Sequence, residues 1–110
     1  PIEGTLLQLL VICTNATRIL EIGTFTGFST QMMASALPEN GRIITCDIDK
    51  ETSEIANEYF LKSEHGEKVE QKLGPALETM SGLEGGFDII FIDADKENYS
   101  AYYDSSLELL

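Results

Sequence analysis

The sequence has few basic residues, few cysteines and no long uninterrupted run of apolar residues. Seven Lys and Arg stand against nineteen Asp and Glu, a formal net charge of −12, which excludes the positive surface that nucleic acid or an anionic membrane requires. The two cysteines are too few for a disulfide scaffold and fit a reducing compartment, the cytoplasm. The longest apolar stretch, residues 6–13, contains Gln8 and is too short to span a bilayer. We therefore expect no nucleic-acid partner and no membrane partner.

What is present fits one globular core. Of the 110 residues, 43% are hydrophobic and 24% charged, and the mean hydropathy is −0.04, a balance typical of a folded domain. The chain opens Pro-Ile-Glu, without the basic segment that begins a secretory signal. The sequence therefore predicts a folded domain that carries no signal peptide.

Helical and strand patterns alternate along the chain without a long linker. Alternation of this kind, with apolar strands, predicts an α/β fold with a doubly wound parallel sheet, strand order 3-2-1-4. The first helix is apolar nearly all round and is expected to be buried, with Cys13 in it. Predicted strands cover residues 18–22, 42–47, 68–73 and 87–92, and predicted helices cover 3–13, 28–37, 50–64, 75–80 and 97–110.

The last predicted strand suggests that the chain is part of something larger. Residues 87–92 (FDIIFI) are so apolar that the strand is expected to have neighbours on both sides, since an exposed apolar edge invites unwanted pairing. The sequence then stops in a helix. We interpret residues 1–110 as a single partial domain of a larger α/β enzyme, without some N-terminal helices and C-terminal strands.

Glycine and acidic residues gather at the predicted carboxyl ends of three strands. Glu21 and Gly23 end and follow the first strand, Asp47 ends the second, and residues 93–96 (DADK) follow the fourth. The first and fourth strands meet where the winding direction switches, and ligands bind in the crevice beyond that point. The spacing therefore predicts a ligand site at this end of the sheet.

The turn after the first strand favours a nucleoside-containing ligand. Residues 21–27 (EIGTFTG) form a strand-to-helix turn where the backbone can approach a ligand closely, although alone it could be an ordinary helix entry. Asp47, twenty residues after Gly27, is placed to accept hydrogen bonds from ribose hydroxyls. The glycine spacing departs from the dinucleotide pattern and disfavours a nicotinamide-dependent oxidoreductase. Glu21 is then expected to face a cationic ligand end, such as an amino group.

The segment after the fourth strand has two possible meanings. Asp93 and Asp95 could offer oxygen to a hard divalent cation, and Lys96 could act as a general base. Alternatively, the segment is a solvated charge cluster at the start of the next helix, where acidic residues are favourable. Its position at the switch point favours a functional site.

These segments together resemble the S-adenosylmethionine-dependent, metal-dependent O-methyltransferases of the catechol and caffeoyl-CoA type. That family has the Rossmann-like class I methyltransferase fold, is usually dimeric, and carries an ion such as Mg²⁺ in its catalytic site. The resemblance implies a methyl transfer to a hydroxyl of a small aromatic acceptor. The matching segments are residues 3–7 (EGTLL), 20–29 (LEIGTFTGFS), 45–49 (TCDID), 73–79 (LGPALET) and 91–99 (FIDADKENY).

The resemblance also implies roles for single residues. Asp47 would bind the ribose hydroxyls, the backbone at Ala76 would contact the adenine, and Asp95 would lie beside the cofactor. Asp93 would be a metal ligand and Lys96 the catalytic base. The methionine part of the cofactor would be held by Glu21, Gly23, Thr24 and Ser29.

One departure from the family pattern bears on activity. The family's later Asp-Asn pair, which completes the metal shell, has no counterpart up to Leu110, and one carboxylate cannot hold a six-coordinate cation tightly. We therefore expect these 110 residues to be inactive alone. The alternative interpretation is a non-catalytic cofactor-binding or dimerisation module with the same fold.

Two further residue types are predicted to have structural roles. His65 precedes Gly66 and is expected to be a solvated residue at a helix end. Tyr99, Tyr102 and Tyr103 are expected to lie on one side of the last helix, where packing or interface roles are commoner than ligand binding.

Overall fold

The computed structural model describes residues 2–25 and 27–110. Pro1, and Thr26 within the predicted glycine-bearing turn, lie outside the described residues. Short 3₁₀ segments at Gly66–Lys68 and Lys96–Asn98 precede β3 and α5. The elements, in chain order, are α1 (Ile2–Cys13), β1 (Arg18–Ile22), α2 (Phe28–Ala36), β2 (Arg42–Asp47), α3 (Lys50–Lys62), β3 (Val69–Leu73), α4 (Ala76–Ser81), β4 (Ile89–Ile92) and α5 (Tyr99–Leu109).

The four strands form one parallel sheet in the order β3-β2-β1-β4, which confirms the predicted α/β class and strand order. β1 lies in the middle, where Leu20 is in register with Ile44 of β2 and with Ile90 of β4. Among the described residues, β4 pairs with β1 on one side only, so its predicted second neighbour is not found there.

Side chains of β1 alternate between two packed layers. Ile19 faces a cluster with Val11 of α1 and Met33 of α2, whereas Leu20 packs on the opposite side with Met80 of α4 and Tyr102 of α5. This period of two is the geometry of a strand that is covered on both faces. Glu21 follows Leu20 and therefore points back toward α2, which decides its surroundings at the site.

The expectation that α1 is buried is wrong. The helix packs on α2 through one stripe, where Val11 enters the core and a Cβ on Gly4 would lie 2.8 Å from Met32 Cε. Its other side has no covering layer among the described residues, and Cys13, also expected to be buried, is exposed. Uniform apolarity predicts that a helix could be buried on all sides, but burial depends on how many layers surround it. The exposed apolar side chains of α1 are Ile2, Leu6, Leu9, Leu10 and Ile12.

The element boundaries differ from the predicted ones where side chains or loops take over the backbone hydrogen bonds. The fourth strand begins at Ile89 rather than at residue 87, because Phe87 N donates to Leu109 O at 2.9 Å, and Asp88 accepts hydrogen bonds from the loop before β1. None of the helices within residues 2–25 and 27–110 is long and apolar enough to cross a membrane.

Candidate functional site

A cavity of about 430 Å³ opens at the carboxyl ends of β1, β2 and β4. This is the sheet end that the sequence predicts as the ligand site. Four of the predicted site residues line the cavity, namely Gly23, Asp47, Ala76 and Asp95. The strand order therefore brings together residues that are up to 72 positions apart in the chain.

Gly23 lies at a close approach of two backbone segments beside this cavity. Its φ is 103°, its N–H donates to Cys46 O at 2.8 Å, and a Cβ there would lie 2.0 Å from the backbone oxygen of Asp93. A residue with a side chain would overlap the backbone that follows β4, besides adopting a conformation that favours glycine. The glycine therefore allows the ends of β1 and β4 to come together under the cavity.

Asp47 is held by two backbone N–H groups. Its Oδ2 accepts from Phe25 N at 3.0 Å and its Oδ1 accepts from Asp49 N at 2.9 Å. Each carboxylate oxygen can accept a further hydrogen bond, and the side chain is half-buried at the cavity. The arrangement can thus bind two neighbouring hydroxyl groups of a ligand.

Glu21 is completely buried and surrounded by hydroxyl groups. Its Oε2 accepts from Ser29 Oγ at 2.5 Å, and its Oε1 accepts from Thr45 Oγ1 at 2.7 Å and from Thr30 Oγ1. Burial raises the pKa of Glu21, which the hydroxyl donors partly offset. Glu21 therefore links β1, β2 and the start of α2 through hydrogen bonds.

This network lies behind the cavity rather than in its lining. Thr24 Oγ1 is 2.7 Å from Thr45 Oγ1 and completes the buried set, and of the four residues that the resemblance assigns to the methionine part, only Gly23 is in the lining. Direct contact of Glu21, Thr24 and Ser29 with a cofactor stays a prediction. That Glu21 faces an amino group also stays a prediction; its carboxylate already has three hydroxyl donors.

Asp95 is held by two side chains that follow it. Its Oδ1 accepts from Tyr102 Oη at 2.7 Å and its Oδ2 accepts from Asn98 Nδ2. These bonds lower the pKa of Asp95, while burial, followed by the bond to Asp95, raises the pKa of Tyr102 to about 12. Sequence analysis predicted Tyr102 as a packing residue and missed its hydrogen bond. No helical spacing signals this bond, because Asp95 precedes the 3₁₀ segment and α5 begins only at Tyr99.

Asp93 and Lys96 are exposed, and neither is in the cavity lining. The structure describes no group of three or more His, Cys, Asp or Glu residues that could hold a metal ion. The residues present therefore do not fit a metal centre by themselves: Mg²⁺ takes six oxygen ligands, partly from water, but no described residues join Asp93 in a group of three or more ligands. The metal role of Asp93 and the base role of Lys96 stay predictions.

Comparison with known proteins shows which family the chain belongs to. Residues 1–110 match the O-methyltransferase family. Catechol O-methyltransferase domain-containing protein 1 of Mus musculus is 41% identical over 113 aligned residues, which cover 98% of this chain and 43% of that protein. Caffeoyl-CoA O-methyltransferase 1 of Eucalyptus globulus is 39% identical, with 98% and 46% covered.

Solved structures agree in fold as well as in sequence. The O-methyltransferase from Bacillus cereus in complex with S-adenosylhomocysteine is 38% identical, with a TM-score of 0.93 over 99% of this chain and 51% of that one. The O-methyltransferase TomG from Streptomyces achromogenes in complex with S-adenosylmethionine is 37% identical, with a TM-score of 0.91 over 97% and 50%.

The parallel sheet in the order β3-β2-β1-β4, together with these structural matches, shows a class I methyltransferase fold. The chain belongs to the O-methyltransferase family, and it spans about half the length of the relatives it matches.

Proposed function

We propose that the protein carrying this chain transfers a methyl group from S-adenosylmethionine to a hydroxyl of a small catechol-like or caffeoyl-CoA-like aromatic acceptor. The observation that carries the proposal is the cavity in which Asp47 and the Gly23 turn meet at the switch point of the sheet. Family membership and relatives that bind S-adenosylmethionine or S-adenosylhomocysteine support it.

The described residues fit such a cofactor. The two free acceptor positions of Asp47 suit the ribose hydroxyls, and the cavity size lies in the range of small-molecule sites. The apolar residues Ile48, Pro75 and Ala76 are in the cavity lining and suit the flat face of adenine. The tight backbone at Gly23 lets the rest of the ligand lie close to the ends of β1 and β4.

The chemistry is an in-line displacement. The acceptor oxygen forms a bond to the methyl carbon as the bond between that carbon and the sulfonium sulfur breaks, and S-adenosylhomocysteine leaves. The hydroxyl proton passes to Lys96, which the resemblance makes the general base. The chain's own contribution is to hold the sulfonium compound in the cavity at the sheet end.

The described carboxylates do not complete a metal shell by themselves. In the proposal, a divalent cation, Mg²⁺ by resemblance, is held by Asp93 together with ligands that this chain does not supply. The 110 residues alone are accordingly expected to bind the cofactor without turnover. The resemblance also supports a homodimer, which analytical ultracentrifugation of the complete protein would test, and the two unpaired cysteines support a cytoplasmic location.

Calorimetric titration with S-adenosylhomocysteine tests the cofactor part of this proposal. We expect saturable binding of one equivalent, and no heat from NAD used as the control. Circular dichroism confirms that the titrated protein is folded. A folded protein that does not bind S-adenosylhomocysteine, or that binds NAD instead, contradicts the proposal.

A non-catalytic cofactor-binding or dimerisation module is the second candidate. The absence of a metal-ligand cluster from residues 2–25 and 27–110 favours it. A methylation assay on the complete protein, with a catechol acceptor and Mg²⁺, distinguishes the two. Binding of S-adenosylhomocysteine without any methylated product supports the module.

A further inference from the structure

Asp95 is an exposed carboxylate whose two oxygens are both held by neighbouring side chains. Tyr102 Oη donates to Oδ1 at 2.7 Å, and Asn98 Nδ2 donates to Oδ2. All three side chains are in the cavity lining. The contacts form a clamp, defined here as Asn98 and Tyr102 on either side of the Asp95 carboxylate.

Tyr102 is a rigid donor in this clamp. Its ring is buried, with 6% of the residue exposed, and packs in the same cluster as Leu20, Ile22 and Met80. Because the core fixes the ring, the hydroxyl has a defined position from which to orient Asp95.

Other tyrosines of the same helix show that this arrangement is particular to Tyr102. Tyr99 is 39% exposed and Tyr103 is 60% exposed, and the structure places neither of them in the cavity lining. The hydroxyl of Tyr102 therefore differs from its neighbours in burial and in its carboxylate partner. Tyr103 provides a matched control of the same residue type.

An exposed aspartate without partners samples several rotamers and loses that freedom when a ligand binds. The clamp fixes the Asp95 carboxylate beforehand and leaves one acceptor position on each oxygen free. Resting on the proposed function, we infer that Tyr102 and Asn98 are positioning residues that preorganise Asp95 for binding the cofactor. Neither residue needs to touch the cofactor for this role.

A double-mutant cycle in the complete protein that carries this sequence tests the inference. Calorimetry at one fixed pH would measure S-adenosylhomocysteine affinity for wild type, Tyr102→Phe, Asp95→Ala and the double variant. We expect Tyr102→Phe to weaken binding about fivefold, equivalent to about 1 kcal/mol and typical of one hydrogen bond. The same change in the Asp95→Ala background should have no further effect, because the donor then has no carboxylate to orient. Tyr103→Phe should bind like wild type.

Other outcomes separate the possible failures. Unchanged affinity of folded Tyr102→Phe, or the same fivefold loss without Asp95, would overturn the inference, since Tyr102 would then not act through Asp95. If Tyr102→Phe fails to fold, Asn98→Ala replaces it in the cycle, because Asn98 is exposed. A weaker affinity that disappears in the Asp95→Ala background then supports the inference. Unchanged affinity, or the same loss without Asp95, overturns it. If wild type does not bind S-adenosylhomocysteine, the proposed function fails first.

Discussion

The α-carbon of Gly23 faces the backbone carbonyl of Asp93 so closely that a Cβ on the glycine would lie 2.0 Å from the carbonyl oxygen. The contact joins the ends of β1 and β4, which are adjacent in the sheet although about seventy residues separate them. Gly23 also lines the cavity. A change here should therefore affect both folding and ligand binding.

We expect Gly23→Ala to lower the free energy of unfolding by about 3 kcal/mol or more, because overlap with fixed backbone adds to the strain of a positive φ. Gly74→Ala is the matched control. Gly74 also has a positive φ, 131°, but a Cβ there would meet nothing within 4 Å, so only strain of about 1–2 kcal/mol is expected. Urea denaturation measures both values. Equal losses would show that the Asp93 contact is not limiting.

Asp47→Ala should weaken S-adenosylhomocysteine binding at least about tenfold, because it removes a charged acceptor of hydrogen bonds. The bonds from Phe25 N and Asp49 N are lost too, so thermal unfolding should be followed alongside calorimetry. Asp104→Ala, an exposed change on α5, is the control for net charge. Similar affinities of the two variants for S-adenosylhomocysteine would show that Asp47 does not bind the ligand.

Glu21→Gln should change how stability depends on pH. Burial raises the folded-state pKa of Glu21 above its ordinary value of 4.5, so ionisation is harder in the folded than in the unfolded chain. Wild type therefore loses stability as pH rises from about 4.5 through the raised pKa, and Gln, which does not titrate, removes that loss. Between pH 5 and pH 8, urea denaturation should show a larger decrease in the free energy of unfolding for wild type than for Glu21→Gln. Parallel pH profiles of the two proteins would contradict the raised pKa of Glu21.

Asp88→Asn should reduce stability at neutral pH. The carboxylate accepts hydrogen bonds from Thr17 N at 2.8 Å and Arg18 N at 3.0 Å, which hold the pKa of Asp88 below its ordinary value. The expected loss is about 0.5–1 kcal/mol, at the low end for a hydrogen bond because solvent screens this exposed group. A folded-state pKa below the unfolded-state pKa stabilises the folded protein at pH values above the unfolded-state pKa. The stability difference between wild type and Asp88→Asn should therefore disappear as the pH falls below 3.8 and through the folded-state pKa. A difference that persists at pH 2 would point to packing instead.

The amino-acid sequence by itself determined the elements, their order and part of the cavity lining. Alternation of strand and helix patterns predicted the parallel sheet and its order, because right-handed crossovers leave few alternatives. The same topology placed Gly23, Asp47 and Asp95 at one sheet end, and the structure confirms that all three line one cavity. These features follow from local patterns combined with one chirality rule.

Tertiary structure alone decided which surroundings each side chain has. Periodicity could not show that α1 is covered on one side only, since burial depends on the number of neighbouring layers. The sequence placed Glu21 at the predicted site through its position near the end of β1. Only the packing of β2 and α2 on β1 shows that hydroxyl groups enclose Glu21. The Tyr102 hydrogen bond to Asp95 likewise depends on the 3₁₀ turn that orients α5. Contacts between elements set these environments, and one element's sequence does not contain them.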